Sequence, residues 1–441
     1  MNDMTKGSPA RAIVHFAIPV LIGNLFNLAY NLTDTRIVGA MLGNEALAAV
    51  GCVSTLCELF TGFLVGLGNG FAVLTARFFG MGQEDRVRRS FSSSLTLGTL
   101  TAALLTALSL LFMGPILQIL HVSAAQYADA GAYLRTILLG LVFCILYNVQ
   151  ASNLRAIGDS FTPLLFLIFS ACANVGLDLL FVGPLQTGVR GAALATILSQ
   201  ALAAVLCFVY TRRKYAILRF TARDLLPERS LSTQLFSGGI SMGLMNSLVS
   251  FGTVSLQSAI NSFDTNTIVA HAATRKLSNL YMMPFSVLGT TMATYCGQNY
   301  GAGRMDRVRT GLRRVLLIAY LWAGIDCLMS YTIAPRLIVA ITATQIPQVV
   351  ETAVLYQKVD TLFYLLCPTI TITRNSLQGL GDHVTPVISS ALELVCKVLV
   401  AFLLTPVLAY WGIILAEPIA WSVMVIPLII SIVRRIKNPA P

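Results

Sequence analysis

Twelve apolar stretches dominate this chain, each of about 20 residues or more and so able to cross a hydrocarbon core of roughly 30 Å as a helix. They cover 12–34, 46–76, 92–113, 131–152, 162–183, 189–211, 235–258, 266–296, 314–334, 352–373, 386–408 and 410–433. Backbone N–H and C=O groups inside a bilayer find no water to bond, and for runs of this length the helix is the form that satisfies them internally. The fold class that follows is an all-α polytopic membrane protein. Only 11% of its residues are charged, against roughly 25% in a soluble domain. The short loops left over have no room for a separate soluble catalytic or nucleotide-binding domain.

The charges that remain fall largely on one side. The chain has 30 Lys+Arg against 19 Asp+Glu, a net charge of +11. With the N-terminus inside, most of the basic residues collect on the cytoplasmic side and only Arg36, Arg135, Arg190 and Arg336 on the other. The positive-inside rule then predicts a multi-pass protein with both termini cytoplasmic, and the expected location is the plasma membrane, which in a bacterium is the inner membrane. Topology accounts for the basic excess, so the lipid bilayer and not nucleic acid is the expected large partner. The nine cysteines lie within or at the ends of apolar runs without a CxxC pair and read as small hydrophobes. The polar start, Met1-Asn-Asp-Met-Thr-Lys, precedes an apolar run with no small-residue cleavage site, and no removable signal peptide is expected.

The chain repeats itself. Arg77-Phe-Phe-Gly-Met-Gly-Gln-Glu-Asp-Arg-Val-Arg88 returns as Gln298-Asn-Tyr-Gly-Ala-Gly-Arg-Met-Asp-Arg-Val-Arg309. Ala156-Ile-Gly-Asp-Ser-Phe-Thr-Pro163 returns as Gly379-Leu-Gly-Asp-His-Val-Thr-Pro386, at nearly the same offset along the chain. Six spans per copy is an even number, so both copies enter the membrane from the same face and a pseudo-two-fold axis along the membrane normal relates them. The expected organisation is an N-lobe of six helices at 1–211, a basic cytoplasmic linker at 212–233 and a C-lobe of six helices at 234–441.

Ionisable groups at bilayer depth cost several kcal/mol unless paired or hydrated, which makes each one a functional candidate. The first half carries Asp34, Glu58 and Asp178 with no basic residue deeper than Arg135. At about 1.5 Å per residue, Asp34, Asn174, Asp178 and Thr196 come to one level toward the outer face. Two carboxylates, an amide and a hydroxyl make an all-oxygen set suited to a small hard cation such as sodium, or to a proton taken up by one of two carboxylates in a low-dielectric space. The competing structural reading has Asp34 capping a helix end and Asn174 and Thr196 bonding across helices. The second half balances Asp326, Asp360, Glu393 and Glu417 against Arg275, Lys276, Lys358 and Lys397. Glu393 and Lys397 are spaced to pair along one helix, whereas Lys358 and Asp360 must find partners elsewhere. This group reads as a structural network, with Glu417, followed by Pro418, its most functional member. Pro19 is expected to kink the helix that ends in Asp34, and the glycine run Gly62, Gly66, Gly68, Gly70 to form a close-packing surface.

No G-x-x-x-x-G-K-[ST] is present, so ATP is not the direct energy source. There is no G-x-S-x-G and no H-E-x-x-H, and an enzyme is not expected. No cofactor is expected beyond a sodium ion or proton as coupling ion.

The stretch from Pro19 to Gly43 with Asn-Leu-Thr-Asp34-Thr-Arg-Ile-Val-Gly39, the segment Asn174-Val-Gly-Leu-Asp178, the run Gly188-Val-Arg-Gly191-Ala-Ala-Leu-Ala-Thr196 and the loop Gly297-Gln-Asn-Tyr-Gly-Ala-Gly303 resemble the multidrug and toxic compound extrusion (MATE) family of antiporters. The resemblance covers both halves. It implies a twelve-helix, two-lobed secondary active transporter, acting as a monomer, that exports small organic cations in exchange for sodium ions or protons, with the cation site on Asp34, Asn174, Asp178 and Thr196. The sequence departs from some branches of the family at Gln257, which stands at the repeat position of Asp34 and is neutral. Pro19, Gln257 and Glu417 are then the candidates for the substrate cavity or conformational coupling. A lipid-linked precursor flippase of the same superfamily is the alternative function, since Arg275, Lys276, Lys358 and Lys397 could hold a pyrophosphate.

The topology is tested by single cysteines, L225C and A340C, placed in a background without the native nine. An impermeant thiol reagent should label A340C and not L225C in intact cells; labelling of L225C alone would reverse the orientation.

Overall fold

The computed structural model describes residues 3–120, 122–226, 228–342 and 344–438. It is all helical among them. The helices are α1 (Pro9–Gly80), α2 (Glu84–Leu111), α3 (Met113–Ile119), α4 (Tyr127–Ala156), α5 (Phe161–Val182), α6 (Val189–Lys214), α7 (Arg229–Ile260), α8 (Thr265–Gly301), α9 (Met305–Thr332), α10 (Ala334–Thr342), α11 (Pro347–Leu362), α12 (Leu366–Gly379), α13 (Thr385–Leu399), α14 (Thr405–Leu408) and α15 (Tyr410–Lys437).

Twelve spans result, although helix ends and span ends do not coincide. Helix α1 contains two of them, because its one break is Gly43 at φ 83°, ψ −179°, a conformation that a side chain would resist. The loop expected between residues 34 and 46 is thus reduced to a single bend at Gly43, within that interval. Span ten is shared by α11 and α12. Pro368 supplies no N–H to the turn before it, and the chain opens between Leu362 and Leu366. Exposed leucines run along α2 at Leu100, Leu104, Leu108 and Leu111, and along α9 at Leu317, Leu321 and Leu328. Such one-sided apolar faces, left open in a folded chain, fit a hydrocarbon surround.

Packing divides the chain into two units, Ile18–Gly243 with the first three residues, and Leu244–Pro441 with Met4–Ala17. In the first, α6 packs on α4 and α5 and α2 on α4, around Leu67, Phe71, Phe91, Leu138, Ile145 and Cys207. Of the glycine run, Gly70 is the close contact: a Cβ there would stand 2.3 Å from the Gly238 carbonyl oxygen, whereas Gly62 faces open space. In the second unit Leu256, Tyr356, Val400, Ile413 and Ile414 form an apolar cluster. All nine cysteines are free, and Cys144, Cys207, Cys296 and Cys367 are buried.

The repeated loops carry repeated backbone. Gly82 and Gly303 both sit at φ +70°, and Gly158 and Gly381 at +88° and +84°. The aspartate after each of the latter glycines caps the next helix. Asp159 Oδ1 accepts from the Phe161 and Thr162 N–H groups, and Asp382 Oδ1 from those of Val384 and Thr385. The second carboxylate oxygen is also used, by the Tyr215 hydroxyl at Asp159 and by the Ser431 hydroxyl, at 2.7 Å, at Asp382.

The copies part company at one arginine. Arg86 is exposed, with its guanidinium over the Phe78 ring. Its counterpart Arg307 is buried and donates to the carbonyl oxygens of Met4, Lys6 and Gly7 at 3.0, 3.0 and 2.8 Å and to Asn299 Oδ1 at 2.9 Å. Gln298 completes the clamp by accepting from the Met4 N–H. The segment Met4–Ala17 is thereby fixed to the second unit, and the division falls inside α1, between Ala17 and Ile18. Pro19 follows at once. Helical dihedrals continue through it, so the residue leaves the His15 carbonyl without its intrahelical bond but does not end the helix.

Two outcomes follow. Arg307→Ala strips four charge-assisted bonds, two of them to the buried Met4 and Asn299, a loss of about 3 kcal/mol; thermal unfolding in detergent should drop clearly for R307A and barely move for R86A. Burial works against ionisation of Asp159 and Asp382, yet their hydrogen bonds hold both carboxyls below the ordinary carboxylate range. Their stabilisation is therefore fully present at neutral pH and is lost as pH falls through those depressed values. D159N and D382N should be less stable than the wild type at neutral pH, and unfolding curves taken at falling pH should show the gap closing.

Candidate functional site

Three helices of the first unit bring the acidic set together. Asp34 lies on α1 with helix on both sides of it, so it does not cap a helix end. Asn174 and Asp178 lie one turn apart on α5 and are fully buried. Thr196 lies two turns into α6, whose own N-terminus is set by Gly188 at φ 64°. Thr196 donates its hydroxyl proton to the Ala192 carbonyl and can receive the Asn174 Nδ2–H at 3.4 Å. The Asp34 and Asp178 carboxyls come within hydrogen-bonding reach of each other.

This geometry leaves acceptors without donors. Asp34 Oδ1, Asn174 Oδ1 and both oxygens of Asp178 are buried and accept no hydrogen bond. Each such group forfeits about 1–3 kcal/mol of lost hydration, and two adjacent carboxylates add mutual repulsion. A proton shared between the carboxyls, or a small cation among the oxygens, relieves both penalties. Two tyrosines that sequence reasoning missed complete the surroundings. The Tyr30 hydroxyl lies beside Thr196 and near both aspartates, and Tyr133 of α4 lies near Tyr30, Asp34 and Asp178. Tyr30 stands one helical turn before Asp34, a spacing visible in the sequence. Tyr133 comes from a helix with no such signal. Glu58 is exposed and stands outside the set.

The charges of the second unit are, by contrast, joined to one another. Glu417 Oε1 receives Arg275 Nη1 and Lys397 Nζ, each at 3.0 Å. Lys397 also donates to Glu393 at 2.9 Å, and Glu393 lies 3.4 Å from Arg374. The chain Arg275, Glu417, Lys397, Glu393, Arg374 thus ties α8, α15, α13 and α12 together. A Cβ on Gly252 of α7 would lie 3.0 Å from the Lys397 stem. Lys358 places its ammonium 5.4 Å from the Tyr331 ring centre, and Asp360 Oδ2 faces Ser278 at 3.5 Å. Gln257 is exposed and donates to Asn261 on the next turn.

The MatE family model matches residues 19–180 and again 242–403. The chain belongs to the MatE family. The two matches are offset along the chain by the same interval as the repeated Gly-Asp turn; the first contains Asp34 and Asp178, and the second Asp326, Asp360 and Glu393. Among relatives of the MatE chain, a probable multidrug resistance protein of Bacillus subtilis, YpnP, is 29% identical over 69% of this chain and 68% of its own. The multidrug export protein MepA of Staphylococcus haemolyticus is 24% identical over 95% and 91%. Among solved structures, the outward-facing form of a multidrug resistance MATE transporter of the MOP superfamily superposes with a TM-score of 0.90, at 24% identity over 99% and 97% of the two chains. A MATE in its bent conformation superposes at 0.91, also at 24% identity, over 98% and 97%. The fold of this MatE protein is that of a multi-pass membrane transporter, and its role is transport rather than catalysis.

Proposed function

We propose that this protein is a secondary active multidrug efflux transporter that exports small organic cations in exchange for sodium ions or protons, with Asp34, Asn174, Asp178 and Thr196 holding the coupling ion. The observation that carries the reading is the group of buried, donor-less oxygens on Asp34, Asn174 and Asp178. An ion held there drives transport only if it binds one conformation better than another. Asp34 sits on α1, the helix that passes from the Arg307 clamp through Pro19 into the first unit, so occupancy of the site bears directly on the position of that helix. Pro19, which removes one intrahelical bond, is the place in α1 where the cost of bending is lowered.

The exported class follows from the names of relatives, which include multidrug resistance and export proteins and, at 25% identity, an FAD transporter of Shewanella oneidensis. Glu417 acts in conformational coupling, because its charge is already committed to Arg275 and Lys397. Those same pairs disfavour a flippase, since they leave Arg275 and Lys397 little charge for a pyrophosphate. Gln257 contributes a neutral polar side chain where the first half has its acid. Both termini face the cytoplasm of a bacterial cell, and the unit of function is the monomer.

Asp34→Asn and Asp178→Asn keep the size of each side chain and remove the charge that the ion answers. Each should abolish active ethidium efflux while leaving expression unchanged; export at near wild-type rate by either variant would defeat the assignment. Efflux measured with and without sodium at fixed pH identifies the coupling ion.

A further inference from the structure

The second unit spends three basic side chains on Glu393 and Glu417 and none on Asp326. That residue is fully buried on α9, and neither of its carboxylate oxygens accepts a hydrogen bond. Nearly equal lengths of chain separate Asp326 from Met305, Tyr281 from Gly301 and Asp360 from Gly379. At the helical rise, those lengths put Asp326 and Tyr281 about 30 Å above the same ends of their spans, and Asp360 lies just beyond the turn that precedes α12. Around them the Tyr281 and Tyr364 hydroxyls, Gln357 Nε2 and Asp360 Oδ1 are buried without a well-formed hydrogen bond, the Tyr281 hydroxyl lying beside Ser330 and the Tyr364 hydroxyl beside Ser278 and Asp360. Tyr281 and Tyr364 both lie within electrostatic reach of Asp326, and Tyr364 of Asp360.

Three buried donor groups and three buried carboxylate oxygens therefore lie between α8, α9 and α11 without well-formed hydrogen bonds. An ionised Asp326 in this space has no counter-ion and accepts no hydrogen bond, a costly arrangement for a buried carboxylate. A protonated one becomes a donor as well as an acceptor. We propose that Asp326 is a proton-binding site of the second unit, loaded and unloaded through the Tyr281, Tyr364 and Asp360 side chains. The step is proton binding alone: the carboxylate takes up a proton and returns it, and no bond between heavy atoms changes. The charged and titratable groups facing this space are Tyr281 and, toward Asp360, Glu417 from α15 and Arg275 from α8, together with Asp360 from α11, Tyr364 from the turn before α12 and Cys367 from α12. Arg336 of α10 is exposed and Arg374 of α12 is occupied by Glu393.

The site extends the transport reading by giving the second unit its own proton, but proton binding at Asp326 does not require that reading to hold. The test is infrared titration of the full-length protein in liposomes, following the carbonyl band of protonated carboxyl groups from acid to alkaline pH, in water and in heavy water. A band component should persist in the D34N/D178N double variant, titrate, shift in heavy water and vanish in D326N. In D326E it should reappear at a shifted frequency, which separates loss of the acid from loss of the fold. A component that D326N leaves untouched, or that neither titrates nor exchanges, overturns the proposal. Displacement of the component by sodium at fixed pH overturns the proton as the occupant. Failure of D34N and D178N to stop ethidium efflux would sink the coupling site and leave this result standing.

Discussion

A hydrocarbon surround offers no hydrogen-bond partner, so every polar group on a spanning helix must be answered from within the protein. This one constraint sorts the intramembrane residues. Hydroxyls of Thr33, Thr35, Thr61, Thr99 and Thr101 return their protons to the carbonyl one turn back. Asn153 binds Thr75 and the Val149 carbonyl. The acids of the second unit that have basic neighbours take them. What remains unanswered is a short set dominated by carboxylates, with tyrosines and amides beside them, and it falls mainly into two places: around Asp178 in the first unit and around Asp326 in the second. Chemistry that depends on an exchangeable small ion needs such an unanswered set, because a site already satisfied by protein donors has nothing to gain from the ion.

The duplicated halves show what a repeat retains and what it releases. The glycine turns reproduce their left-handed φ values, since only glycine takes that conformation without strain. The aspartate caps reproduce both of their backbone bonds, since a helix start leaves N–H groups that need an acceptor. Backbone demands are the same in each copy. Side-chain demands are not: Asp34 has Gln257 at its repeat position, and Arg86 lies on a ring where Arg307 grips the chain start. The first unit concentrates unpaired acids with no intramembrane base beside them, and the second concentrates ion pairs. Breaking one partner out of such a buried network costs more than the pair contributes, about 3–5 kcal/mol, so losing any single charge weakens the second unit far more than losing an exposed one.

Helix α1 links these chemistries to the backbone. Its first two turns belong to the second unit through Arg307, its remainder to the first, and it carries Pro19, Asp34 and Gly43 in that order along one continuous path. Asp34 therefore sits on an element whose start is held by three Arg307 hydrogen bonds, to the carbonyl oxygens of Met4, Lys6 and Gly7.

The membrane, the twelve spans and the two homologous halves were legible in the residues alone, because the length of an apolar run and the spacing of a repeated loop are one-dimensional quantities. So was the common level of Asp34, Asn174, Asp178 and Thr196, since helical rise converts residue count into depth. Depth does not fix azimuth. That Asn174 reaches Thr196, that Asp34 and Asp178 face each other, and that Tyr133 joins them from a separate helix all emerge only when the helices are packed. Packing also keeps helix through most of the connection expected between 34 and 46 and narrows it to one bend at Gly43, because the hydropathy of a polar stretch such as Asn31-Leu-Thr-Asp34 reports cost and not conformation. The Glu393–Lys397 pair was legible from its i, i+4 spacing, but the bonds from Glu417 to Arg275 and Lys397 cross between separate helices. The unpaired state of Asp326 was hidden for the same reason. A carboxylate with a partner and one without look alike until the neighbouring helices are in place.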